Sequence, residues 1–133
     1  MAYACDMRAA AYRHLEAAEE LADGKRRDVA GYLYGIAAEC GIKAMMLDIN
    51  IRPLPIAERR DDPFYAHFPD LRTMLRSRLG GRLAAPLLHF ISSDAFMNQW
   101  STDMRYSHGR DVTDARVTAW GAQARQVISS IGT

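Results

Sequence analysis

Residues 28–50 read DVAGYLYGIAAECGIKAMMLDIN, and this stretch decides the fold. Val29, Leu33, Ile36, Cys40 and Leu47 fall on one face of a helix, with Ala37 and Ala44 alongside. No proline interrupts the run. Gly31, Gly35 and Gly41 lie inside it, and each costs a helix up to ~1 kcal/mol against alanine. Glycines kept at that cost imply close approach of another backbone, within a bundle or across a dimer.

The flanking sequence repeats the helical period. Over residues 3–22 there is no glycine or proline, and Met7, Ala11, His14, Ala18 and Leu21 share a face before Asp23-Gly24 stops the helix. Near the other end, Thr113 is the expected cap and Asp114 suits the positive end of a last helix. Its apolar face is Val117, Trp120, Ala124, Val127 and Ile131. Residues 51–68 differ, with Pro53, Pro55, Pro63 and the charged run from Glu58 to Asp62. They read as a long connection with room for one helical turn. Pro69 fits a first helical position, opening a short helix that reaches Arg78 and ends at Gly80-Gly81. A further helical stretch is expected over 83–99, with Pro86 in its first turn. No alternating strand pattern or hairpin signal occurs. The expected fold is a single-domain, all-α, up-and-down bundle of four main helices, with a shorter helix between the second and third.

Composition narrows the function. The chain has 133 residues, 17 Lys+Arg against 16 Asp+Glu, and a net charge of +1. Such a balance gives no bulk attraction to nucleic acid or membrane, so any such binding needs a local basic patch. The first twenty residues carry too many charges for an apolar signal core, and no membrane span is visible, so a cytoplasmic location is expected. Cys5 and Cys40 are then expected as free thiols. Of the 17 basic residues 15 are arginine, whose planar fork suits phosphate.

Several chemistries are missing their residues. There is no phosphate-binding glycine loop and no dinucleotide fingerprint. No Glu-x-x-His pair exists for a di-iron site. Glu16 and Glu19 form a Glu-x-x-Glu without a second acidic pair inside another helix. No metal and no cofactor is therefore expected. His14 and His89 read as core or interface histidines, and Trp100 and Trp120 as core. Arg72, Arg76, Arg78 and Arg82 make a basic face. What remains is Glu39 with Lys43, four residues apart in the favourable order for a helical ion pair. Glu39 borders the buried stripe, where a carboxylate calls for a basic partner from another helix. Arg105, just before the last helix, is the best candidate.

These residues resemble a known family. The run from Ala30 to Met46, with its alanine-rich face, Glu39 and Lys43-Ala44, resembles the second helix of HEPN (higher eukaryote and prokaryote nucleotide-binding) domains. His67-Phe-Pro-Asp-Leu71 resembles that family's entry into the next helix, and Arg105-Tyr106 the pair preceding its last one. The resemblance spans residues 9–131. It implies a small bundle that commonly dimerises, with a cleft between protomers that binds RNA or a nucleotide through Glu39, Lys43, His67, Arg105 and Tyr106. Catalytic members carry an Arg-x(4–6)-His motif, whose roles would fall here to Arg105 and His108. In this chain only Tyr106 and Ser107 separate the two. The leading expectation is thus an RNA- or nucleotide-binding module, probed by salt and by Arg105. A metal-independent RNase of toxin type, and a non-catalytic scaffold or toxin–antitoxin partner of a small nucleotidyltransferase, stand as alternatives.

Overall fold

The computed structural model describes residues 3–81 and 84–132, so Arg82 and Leu83 of the expected basic face and third main helix lie outside the described residues. Three long helices form the frame. Helix α1 (Met7–Asp23) begins at Met7 rather than Tyr3, because the Asp6 carboxylate accepts from the Ala9 amide at 3.0 Å and caps it there. Gly24 closes it, and a tight turn leads into α2 (Arg27–Asp48), packed antiparallel against α1.

Helix α2 is not buried along a stripe. Residues 37–46 are buried without a break, the pattern of a helix enclosed on all sides. Val29, placed on the inner face by periodicity, is exposed. The small residues of α2 explain the enclosure, since they let neighbours come close. A side chain at Gly35 would overlap the Trp100 indole, and Trp100 itself is 1% exposed, with Nε1 donating to the Gly31 carbonyl at 3.1 Å. Gly31 faces Val117 and Trp120, and Gly41 faces Val127 and Ile128. The glycines thus admit side chains of the same chain, not a neighbouring backbone, and they carry no argument for a dimer. The same contacts show that the last long helix, α5 (Asp114–Ser129), runs in the direction of α2. Thr113 caps it, accepting from the Arg116 amide at 3.4 Å, and Arg27 Nε donates to Asp114 Oδ1 at 2.9 Å.

The return between α2 and α5 departs from a fourth main helix. It holds two short helices, α3 (Asp70–Arg76) and α4 (Ala85–Ile91). Pro69 stands at the cap of α3, one position before the expected place, and α3 ends at Arg76, not Arg78. The helix expected over 83–99 stops at Ile91. Arg76 Nε takes the Ile91 carbonyl, and Arg72 Nη1 takes that of Phe96 at 2.6 Å, so acceptors that a continuing helix would use internally are already occupied. Phe96, Met97 and Trp100 still reach the core, through turns. Residues 51–68 contain two 3₁₀ turns, Ile56–Asp61 and Pro63–Tyr65. They are pinned by the buried Asp62 carboxylate, which accepts from the Leu54 and Phe64 amides at 2.9 and 3.0 Å. No strand occurs among the described residues, and no helix among them is long and apolar enough to cross a membrane.

One polar network ties the three long helices. Tyr34 on α2 donates to Glu19 Oε2 of α1 at 2.6 Å, and Arg125 of α5 donates to both Glu19 oxygens at 2.9 and 3.2 Å. Burial, then the hydrogen bond to Glu19, pushes the Tyr34 hydroxyl up to about 12. Burial works to raise the Glu19 carboxyl, but the bonds from Tyr34 and Arg125 outweigh it and hold the group below its ordinary value. A carboxyl lowered on folding stabilises above its unfolded value and loses that contribution as pH falls through the lower folded value. Solvent reaches this network, so the contribution is about 1 kcal/mol or less. Glu19→Gln is expected to be less stable than wild type in urea unfolding at neutral pH, with the gap closing in acid below the ordinary value of 4.5. An unchanging gap would show that the ionised carboxylate is not what holds the helices.

Candidate functional site

Glu39 sits in the enclosed part of α2, its side chain 7% exposed. A carboxylate there must be neutralised and hydrogen-bonded. Lys43, one turn on and 4% exposed, donates to Oε2 at 3.0 Å. This pair is buried, not the solvated surface pair that helical spacing alone describes. The second oxygen, Oε1, lies 2.8 Å from His67 Nδ1, supplied by the connection before α3. His67 is 51% exposed, so its ring bridges the buried pair and the surface. A carboxylate only accepts, so the neutral imidazole carries its proton on Nδ1 and leaves Nε2 as an acceptor at the outer edge.

Arg105 is not the partner of Glu39. Its Nε donates to the Thr102 carbonyl at 3.1 Å, and its guanidinium lies 5.9 Å from the Tyr32 ring centre and 5.4 Å from that of Tyr106. The separation follows from α2 itself. Tyr32, Gly35, Glu39 and Lys43 share one helix face, and seven residues from Tyr32 to Glu39 span roughly 10 Å of axis. Trp100 fills the space between, over Gly35, stacked on Tyr32 at 5.7 Å and edge-on to Phe68 at 6.2 Å. The residues singled out in the sequence therefore form two groups along one face of α2. Glu39, Lys43 and His67 make the inner group. Arg105, Tyr106 and His108 make the outer one.

The outer group sits where the α1–α2 turn meets the entry to α5. Arg105 lines a cleft of about 390 Å³ with Val29, Tyr32 and Met104. His108 lines an adjoining one of about 590 Å³ with Lys25, Arg27 and Arg110. The two share Arg26, Asp28, Gly109 and Val112. Tyr106 is 82% exposed. His108 opens the 3₁₀ turn Gly109–Asp111, its Nδ1 accepting from the Arg110 amide at 3.1 Å. Arg26 pairs with Asp28 and Arg27 with Asp114, whereas Lys25, Arg105 and Arg110 meet no carboxylate among the described residues. Sequence reading passed over Lys25 and Arg110. The signal was the Lys25-Arg26-Arg27 run, which gains meaning only once the turn lies against the 105–110 segment.

Other expectations resolve plainly. Trp100 and Trp120 are core. His14 is half-buried, and its imidazole is lowered from the usual value by burial and by Arg13, against the pull of Glu39. His89, expected in the core or an interface, is exposed at the end of α4. Cys5 and Cys40 are free, and burial pushes the Cys40 thiol up to about 11. No cluster of three or more metal-ligating side chains forms among the described residues. Comparison with protein-family models, curated proteins and solved structures found no match to this chain.

The imidazoles of His67 and His108 are held in opposite senses, His67 donating from Nδ1 and His108 accepting there. Long-range ¹H–¹⁵N spectra above the imidazole titration range are expected to show the Nδ1-protonated form for His67 and the Nε2-protonated form for His108. The same tautomer at both positions would contradict this geometry.

Proposed function

We propose that the chain is a helical domain that binds RNA or a nucleotide at the end of the bundle where the α1–α2 turn meets the approach to α5. The observation carrying this reading is Arg105. Its Nε is used locally, while neither Nη atom has a hydrogen-bond acceptor among the described residues, and the guanidinium is held beside two tyrosine rings. A fixed, planar cation with free donors matches a phosphate oxygen pair. Tyr106, almost fully exposed beside it, offers a face for a base. Lys25 and Arg110 add positive charge, which gives this near-neutral chain a local basic patch. The resemblance to HEPN domains agrees with this placement, since it locates the cleft at the start of the last helix.

The reading is binding rather than cleavage. His108 spends Nδ1 on capping its own turn, and Arg105 and His108 line adjoining clefts. The inner group contributes by placing His67 and the segment around it. Fluorescence anisotropy with a short labelled single-stranded RNA tests the proposal. Affinity should fall with salt, and Arg105→Ala should weaken binding by roughly tenfold and flatten the salt slope by about 0.7. Arg105 is exposed, so the variant should keep the wild-type unfolding midpoint. Unchanged affinity in that folded variant would overturn the proposal, and RNA cleavage by the purified chain in chelator would replace binding with catalysis.

A further inference from the structure

A third cleft, of about 700 Å³, opens between the connection before α3 and the turns after α4. One wall is the 97–103 segment, in which Met97 and Gln99 hold φ of 52° and 68° although neither is glycine. Side chains rarely accept that conformation, and it persists only where the surroundings impose it. Here they do so by burying the Met97 side chain and by holding the backbone on either side of it. Gln123 accepts from the Met97 amide at 2.7 Å and donates to the Ala95 carbonyl at 3.0 Å. Trp120 Nε1 donates to the Asn98 carbonyl at 3.0 Å, and Arg72 holds the Phe96 carbonyl. The clamps leave the side-chain amides of Asn98 and Gln99 exposed at the cleft with no hydrogen-bond partner among the described residues. Across the cleft stand His67, its ring fixed by Glu39, and Tyr65, half exposed.

The charges of this cleft differ from those at the bundle end. Asp70 and Asp103 line it, and Nη1 of its one arginine, Arg72, is held by the Asp94 and Phe96 carbonyls. The two carboxylates make it a poorer place for a phosphate than the bundle end. Two free amides, each with a donor and an acceptor, an aromatic face and an imidazole edge match a flat heterocycle bearing donors and acceptors on its rim. We infer that this cleft is a nucleobase-reading subsite, in which Asn98 and Gln99 hydrogen-bond one base of a strand whose phosphate lies on Arg105. Thr102 links the two places, because it lines the cleft and its carbonyl holds Arg105 Nε. This subsite rests on the RNA- or nucleotide-binding reading above. It adds sequence preference to what Arg105 and its neighbours would supply as charge.

Gln99 offers an unusually clean variant. Gln99→Gly removes the amide and suits the positive φ, so the fold should be kept or strengthened while base reading is lost. Asn98→Ala removes the other amide without a positive-φ constraint. The experiment measures anisotropy of wild type and both variants on labelled single-stranded A, C, G and U homopolymers, with urea midpoints as a check on folding. The expected result is at least a tenfold spread among the homopolymers for wild type, reduced to threefold or less in each variant. In both, binding of the preferred homopolymer should fall towards that of the poorest. No spread in wild type, or a spread that survives both substitutions, would overturn the subsite; if Arg105→Ala still weakens all four, the binding reading stands without it. Failure of wild type to bind any homopolymer would overturn both.

Discussion

A carboxylate enclosed inside a protein has to be answered, and much of this fold is arranged around the answer given to Glu39. Lys43 neutralises it from within the same helix. His67 completes it from a segment far along the chain. Removing one partner of a buried ion pair leaves an uncompensated charge and costs about 3–5 kcal/mol, so neither Glu39 nor Lys43 is free to vary alone. The imidazole contact draws the proline-rich connection across α2 and places the start of α3. From there Phe68 meets Trp100, and Trp100 sits over Gly35 against Tyr32. A single electrostatic requirement thus fixes the inner wall of one cleft and the spacing to the next.

Two kinds of polar chemistry are kept apart by that arrangement. Trp100 and Tyr32 form an aromatic partition on α2. On one side lies a cleft with hydrogen-bonding amides and carboxylates at its rim. On the other lie Lys25, Arg105 and Arg110, which meet no carboxylate among the described residues. The proposed binding of a single nucleic-acid strand would use such a separation, since phosphates position a strand and base edges identify it. The 92–100 turns are held from the neighbouring helices. Gln123, Trp120 and Arg72 hold their backbone and leave the side chains of Asn98 and Gln99 uncommitted among the described residues.

The three long helices were legible in the sequence because their apolar residues recur at helical spacing and their ends carry Gly24 and Thr113. The return between them was not. Phe90, Ile91, Phe96 and Met97 look like parts of one more helix, yet the carbonyls of Ile91, Asp94 and Phe96 are claimed by arginines from α3, and such tertiary competition leaves no local pattern. The partner of Glu39 was misplaced for a related reason. A sequence shows which residue types could answer a carboxylate, but the choice between His67 and Arg105 depends on how far along α2 each segment lands. Gly35 and Trp100 settle that distance, and nothing near Arg105 in the chain announces it.

The central claim is that His67 is held by the buried Glu39 carboxylate. A double-mutant cycle with Glu39→Gln and His67→Ala, read by urea unfolding, measures that interaction apart from what either residue does alone. A hydrogen bond to a charged, enclosed carboxylate predicts a coupling of about 1 kcal/mol or more, even with half of the ring in solvent. Effects that simply add, to within about 0.3 kcal/mol, would contradict the account.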